Sequence, residues 1–100
     1  MILEVAILNV RSGEGAAFKS AFRQASPIVA SMPGYPGHEL QRCLEVGDKY
    51  VLLVRWETLE DHTVGFRGSP RYREWKALLH HFYDPFPVVE HYEPVELDGT

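Results

Sequence analysis

His62 is the first residue whose type and setting point to chemistry. It lies four residues after Thr58, follows Glu60 and Asp61, and precedes Phe66 by one helical turn. A single imidazole beside an aromatic ring can serve as a general base near neutral pH, because its neutral nitrogen takes up a phenolic or enolic proton. The plainer alternative is a histidine that only packs or caps on its helix face. His80 and His81 are sequence neighbours, and neighbours on a helix project ~100° apart, so the two cannot reach one small ion. This predicts no metal site there. His38 and His91 fall on separate predicted strands, where only folding could bring them together. Cys43 follows Arg42, and strand alternation points the two to opposite faces, which predicts a structural thiol.

The aromatic residues are the stronger signal. Trp56, Phe66, Tyr72, Trp75, Phe82 and Tyr83 concentrate in the second half of the chain, enough to line an apolar pocket for a flat ligand. Trp75 and Phe82, at helical spacing, read equally well as core. No Gly-rich phosphate loop, Gly-x-Ser-x-Gly elbow or His-Glu-x-x-His pair is present, so the standard nucleotide, acyl-transfer and zinc-hydrolase signatures are missing.

The elements that must position these side chains follow from hydrophobic spacing. Residues 2–10 are β-branched and broken only by Glu4 and Asn9, which predicts a strand ending at the Arg11-Ser-Gly13 turn. Over 14–32, Phe18, Phe22, Ala25, Val29 and Met32 recur at steps of three and four, predicting an amphipathic helix. Pro27 inside it predicts a kink, or a break capped by Ser26. The turn pairs of residues 33–37 lead into a strand over 38–46, and Gly47-Asp48 predicts a tight hairpin into a strand over 49–57. Thr58 and Asp61 have capping-box spacing and open a short helix to Phe66. Ser69-Pro70 opens another, on which Tyr72, Trp75, Leu79 and Phe82 share a face. Asp84-Pro85 ends it, and a strand over 86–95 with Pro87 belongs at a sheet edge.

Strand, helix, strand, strand, helices, strand is the α+β, ferredoxin-like split βαβ order: a four-stranded antiparallel sheet with helices on one face. The first predicted strand is apolar in both phases, Ile2, Ala6, Leu8 and Val10 in one and Leu3, Val5 and Ile7 in the other. The strand over 49–57 behaves alike. One chain's helices cover one face only, so the second face predicts a homodimer through the sheet face, with a fully internal monomeric core as the alternative.

One hundred residues with 45% apolar, 24% charged and 12% aromatic composition make one globular domain, neither disordered nor fibrous. Without linker or repeat, this domain is expected over 1–95, with a tail over 96–100. Ten Lys and Arg against fourteen Asp and Glu give a net charge of -4, which argues against a nucleic-acid partner. The longest apolar run, 50–54, is far below the ~20 residues of a membrane span, and no basic leader precedes the first strand. With a single cysteine, a reducing cytoplasmic setting is expected.

The run Val54-Arg-Trp56-Glu-Thr-Leu-Glu-Asp-His62, then Phe66, Ser69 and Tyr72 before an aromatic-faced helix, resembles the antibiotic biosynthesis monooxygenase (ABM) domain. The Met-Pro-Gly-Tyr turn also fits, and the resemblance covers about residues 1–95. It implies a dimeric α+β barrel whose sheets meet at a twofold axis. It further implies a pocket between sheet and helices in which a phenol, quinol or anthrone-like substrate reacts with dioxygen and no cofactor. By motif position, His62 is the implied base or hydrogen-bonding partner, Trp56 and Phe66 are pocket walls, and Tyr72 is a wall that orients oxygen atoms. A non-catalytic dimeric ligand-binding or accessory module of the same fold is the rival reading.

Haem-degrading relatives resemble one another in an Asn on the first strand, an aromatic before the Ser and a His one turn after the Tyr/Phe position. Here Ala6 stands in place of the Asn and Lys76 in place of the His, although Phe66 supplies the aromatic. Asn9 lies in the opposite strand phase and His80 comes a full turn late, so haem ligation is not implied.

Overall fold

The computed structural model describes residues 1–98. Its elements are β1 (Ile2–Asn9), α1 (Gly15–Ala30), β2 (Gly37–Arg42), β3 (Lys49–Trp56), a π-helical turn (Asp61–Phe66), α2 (Pro70–Leu79), a 3-10 turn (His80–Phe82) and β4 (Val89–Tyr92). All strand pairings are antiparallel, in the order β2-β3-β1-β4. This is the expected α+β, ferredoxin-like arrangement: β1 and β2 flank β3 and are joined by α1, giving a split βαβ unit. Gly99 and Thr100, the end of the expected tail, lie outside the described residues.

Alternation divides the sheet into two faces. Glu4, Ala6 and Leu8 of β1 and Tyr50, Leu52, Val54 and Trp56 of β3 are buried beneath the helices. Phe18, Phe22, Ala25, Ile28 and Val29 of α1 and Trp75 and Leu79 of α2 complete that core. On the other face Leu3, Val5, Val51 and Leu53 are half-buried and Ile7 is exposed.

Several local expectations change in the folded chain. α1 runs through Pro27 without a break, and Ser26, instead of capping a new helix, donates its hydroxyl to the Phe22 carbonyl at 3.0 Å. An interior proline costs about 3 kcal/mol, whereas burying Ile28 and Val29, 6% and 1% exposed, returns about 1.5–3 kcal/mol each. Core burial therefore carries the helix past the proline. β2 ends at Arg42 rather than at residue 46, because Arg42 is the last residue paired with β3 and the chain turns away after the Cys43 amide donates to the Lys49 carbonyl at 2.8 Å. Leu44 and Val46 are exposed, and the turn expected at Gly47-Asp48 is a longer loop in which Asp48 adopts φ 57°. β4 is confined to Val89–Tyr92 at the sheet edge; Pro85 and Pro87 before it have no N–H to give a ladder.

The caps hold. Thr58 N donates to Asp61 Oδ2 and Asp61 N to Thr58 Oγ1, each at 3.1 Å, a reciprocal capping box. Ser69 Oγ accepts from Tyr72 N at 3.3 Å at the start of α2.

Candidate active site

Strand phase and register converge on Glu4. It shares the inward phase of β1 with Ala6 and Leu8, opposite Val54 on β3 and His91 on β4. Its carboxylate is 7% exposed. Oε1 accepts the Trp56 indole N–H at 2.9 Å and lies 3.3 Å from His62 Nε2. His62 Nδ1 in turn lies 2.7 Å from His91 Nε2. The Trp56 ring stacks on the imidazole of His62, with centroids 5.4 Å apart and planes 14° from parallel. Three strands and the π-helical turn thus assemble one chain, Trp56 to Glu4 to His62 to His91, buried at its first three members and half-buried at His91.

Burial governs the charge state of this chain. Burial, reinforced by the positive charge of Arg67 and by His91, pushes His62 down to about 3, so the ring is neutral at physiological pH. With the ring neutral, the 3.3 Å approach of Nε2 to Glu4 is a polar contact rather than an ion pair, while Nδ1 shares a hydrogen bond with His91 Nε2. Burial also raises Glu4 above the usual carboxylate range, against the opposing pull of the Trp56 hydrogen bond and of Arg67. His91 is lowered by burial and then by Arg67.

The chain opens on a cavity of about 380 Å³ between sheet and helices. Glu4 and His62 sit in its wall with Phe66, Tyr72, Trp75 and Tyr83, and Arg67, Phe86 and Pro87 also line it. Every fully buried side-chain nitrogen or oxygen among the described residues has a partner. Glu4 Oε2 has none among those residues, so it is not fully buried, and Glu4 lines the cavity. Of the residues singled out in the sequence, His62, Phe66 and Tyr72 line this space, whereas Trp56 stands behind it, fully buried, holding Glu4 and His62. A second concavity of about 490 Å³ at the start of α1 is lined by Lys19, Arg42, Cys43, Asp48 and Tyr50 among others. There Asp48 already accepts from the Gly13 amide.

Sequence reasoning missed Glu4, His91 and Arg67. The signal for Glu4 was a carboxylate in the inward phase of an otherwise apolar strand. His91 carried none beyond its strand, since its approach to His62 depends on sheet register. Arg67 follows the π-helical turn, which spacing alone reads as an ordinary short helix. His38 instead packs on Phe22 and meets Tyr35, His80 lines the cavity, and His81 is exposed. Glu4, His62 and His91 form a line rather than a cage, and among the described residues no group of three His, Cys, Asp or Glu is arranged to hold a metal ion. Among the same residues no helix is long and apolar enough to cross a membrane.

Comparison with known proteins agrees with this geometry. The family model for antibiotic biosynthesis monooxygenases matches residues 1–78. The Bacillus subtilis protein YczJ, itself uncharacterized, is 58% identical over 95 residues, covering 95% of this chain and all of YczJ. A solved Bordetella bronchiseptica structure classed with the antibiotic biosynthesis monooxygenases is 35% identical, with a TM-score of 0.89 over 95% of this chain and 97% of that one. SnoaB of Streptomyces nogalater, a cofactor-independent oxygenase, shares the fold at 20% identity, with a TM-score of 0.72 over 99% of this chain and 97% of its own. With the family model matching more than three quarters of its length and a solved relative 35% identical along nearly all of it, the chain belongs to the antibiotic biosynthesis monooxygenase family.

Proposed function

We propose that this protein is a cofactor-independent monooxygenase that oxidises a small phenol, quinol or anthrone-like aromatic with dioxygen. The observation that carries the reading is a buried carboxylate, Glu4, held by Trp56 and His62 and opening on an aromatic-walled cavity. A base must offer a lone pair to the substrate. His62 has both ring nitrogens engaged, whereas Glu4 Oε2 is open, and its raised proton affinity suits the task. Glu4 therefore takes the proton, and His62, tied to His91, positions Glu4 and spreads the charge change.

An anthrone-like substrate illustrates the balance. Glu4 removes one proton from the reacting CH2, leaving an electron-rich anion. That anion passes one electron to dioxygen, and the resulting pair combines into a C–O bond. The peroxide so formed takes back the proton from Glu4. Loss of the second C–H proton to Glu4 then expels hydroxide as the O–O bond breaks and C=O forms. One oxygen ends in the product and one in water, and the substrate supplies every electron. Phe66 and Tyr72 hold the ring, and the Tyr72 hydroxyl orients oxygen atoms. Two copies meet through the outer sheet face, where Leu3, Val5, Ile7, Val51 and Leu53 cover one another.

Purified protein treated with a chelator should consume oxygen with an anthrone or hydroquinone above the spontaneous rate. Complete dependence on added haem, flavin or metal would overturn the mechanism. The binding-module reading draws on the 3% exposure of His62, its hydrogen bond with His91 and its contact with Glu4. Ligand binding without oxygen consumption across several such substrates would favour it.

A further inference from the structure

We infer that Arg67 selects aromatic substrates carrying an acidic substituent, such as a carboxylate, on the end of the ring remote from Glu4. The inference rests on the reading of the cavity as an aromatic-substrate site and adds the substrate's charge. Its first support is local backbone geometry. Arg67 N donates to the His62 carbonyl at 3.1 Å, an i to i-5 bond, so one wide turn separates the two residues. In an ordinary α-helix a residue five positions on lies about 140° around the axis. The π-helical turn instead brings Arg67 back over the face that carries His62, and such turns recur at functional sites. The exit from this turn is tailored to glycine: a Cβ on Gly68 would lie 2.5 Å from the Val64 carbonyl oxygen.

The second support is unbalanced charge. Of the seven arginines, Arg11 pairs with Asp84 and Arg71 with Glu74, the other five form no ion pair among the described residues, and of those five Arg67 alone lines this cavity. Among the described residues Arg67 forms no ion pair, although it lines the cavity and its charge is felt by Glu4, His62 and His91. Both line the cavity, Glu4 at 7% exposure and Arg67 exposed to solvent. A flat ring with its reacting hydroxyl or CH2 at Glu4 points its far edge toward solvent, where the guanidinium stands. Aromatic walls between them accept the ring but supply no counter-charge. A guanidinium suits a carboxylate in particular, because its fork of N–H donors matches two oxygens.

Isothermal titration with 6-hydroxy-2-naphthoate and with 2-naphthol tests this without turnover. The protein should bind the acid about tenfold more tightly, the lower range for a hydrogen bond to a charged group at a solvent-facing site. Raising the salt should weaken the acid and spare the naphthol. Arg67→Gln should bring the affinity ratio near one, and Arg67→Lys should keep much of it; circular dichroism checks that both variants fold. Equal affinities in the unaltered protein, a ratio that survives Arg67→Gln, or no binding of either compound would overturn the inference. An acid preference without oxygen consumption would leave it standing and remove the oxygenase reading instead. Oxygen consumption without an acid preference would do the reverse.

Discussion

The two faces of β1 treat their odd residues in opposite ways. On the inner face a carboxylate, Glu4, is buried among Ala6, Leu8 and Val54, where ionisation is penalised. On the outer face Leu3, Val5 and Ile7 lie beside Val51 and Leu53, half-buried or exposed, with no helix of the described residues above them. Each departs from what stability of a lone domain favours. A buried ionised group costs several kcal/mol unless paired, and uncovered apolar residues leave hydrophobic stabilisation unused. Under the proposed function the polar residue inside serves chemistry and the apolar residues outside serve assembly. The same eight-residue strand serves both ends because alternation keeps its two sets of side chains independent.

Breaking the inner face should have the largest effect. Glu4→Gln keeps an oxygen to accept the Trp56 N–H but cannot take a proton. Turnover in oxygen-uptake assays should fall by about 10²-fold to 10⁴-fold, the scale of a positioned base. Thermal stability should hold or rise, since the amide removes the desolvation penalty of the carboxylate. Activity within about twofold of the unaltered protein would move the base elsewhere.

The outer face predicts a change of assembly rather than of chemistry. The protein should sediment as a dimer at micromolar concentration, and Val5→Arg should yield a monomer or an aggregate, since each copy would bury an unpaired charge against its partner. The sharpest contrast is between neighbours: Glu4→Gln should leave the dimer intact. An unaltered protein that sediments as a monomer would remove the assembly half of the comparison.

The fold was legible because its signals are periodic. The apolar stripe of α1, the alternation of β1 and β3, and the caps at Thr58 and Ser69 each operate over a few residues, and each appears in the structure. The site was legible only where its residues share a motif: His62, Phe66 and Tyr72 do, and all three line one cavity. Glu4 and His91 meet because β1 and β4 pair in one register, and strand spacing contains no record of which strand lies alongside. Arg67 depends on a hydrogen-bonding step of five rather than four, a step that the spacing of apolar residues does not record. Pro27 shows the same limit from the other side. The local rule was read correctly, but the buried face of α1 outweighed it.

The smallest expected effect concerns the charge state of the inner chain. An unfolded histidine takes its proton near 6.5, whereas His62 in the folded chain does so only at about 3. Between these values the unfolded state binds more protons, so the stability associated with neutral His62 is complete above about pH 6.5 and is lost as the pH falls toward 3. Glu4, raised by burial, works in the opposite direction, so the contribution of His62 has to be read from a difference. His62→Gln supplies it, because the amide can donate to Glu4 and accept from His91 while never titrating. In urea titrations the unaltered protein should lose about 1–3 kcal/mol more than the variant between pH 7 and pH 4, a range set by the shift in proton affinity and trimmed for coupling to Glu4. The variant, which lacks the packing of imidazole on Trp56, should be the less stable of the two at pH 7, and the gap should close on acidification. Parallel curves would mean that His62 titrates as an ordinary histidine, and the neutral contact between His62 and Glu4 would have to be redrawn as an ion pair.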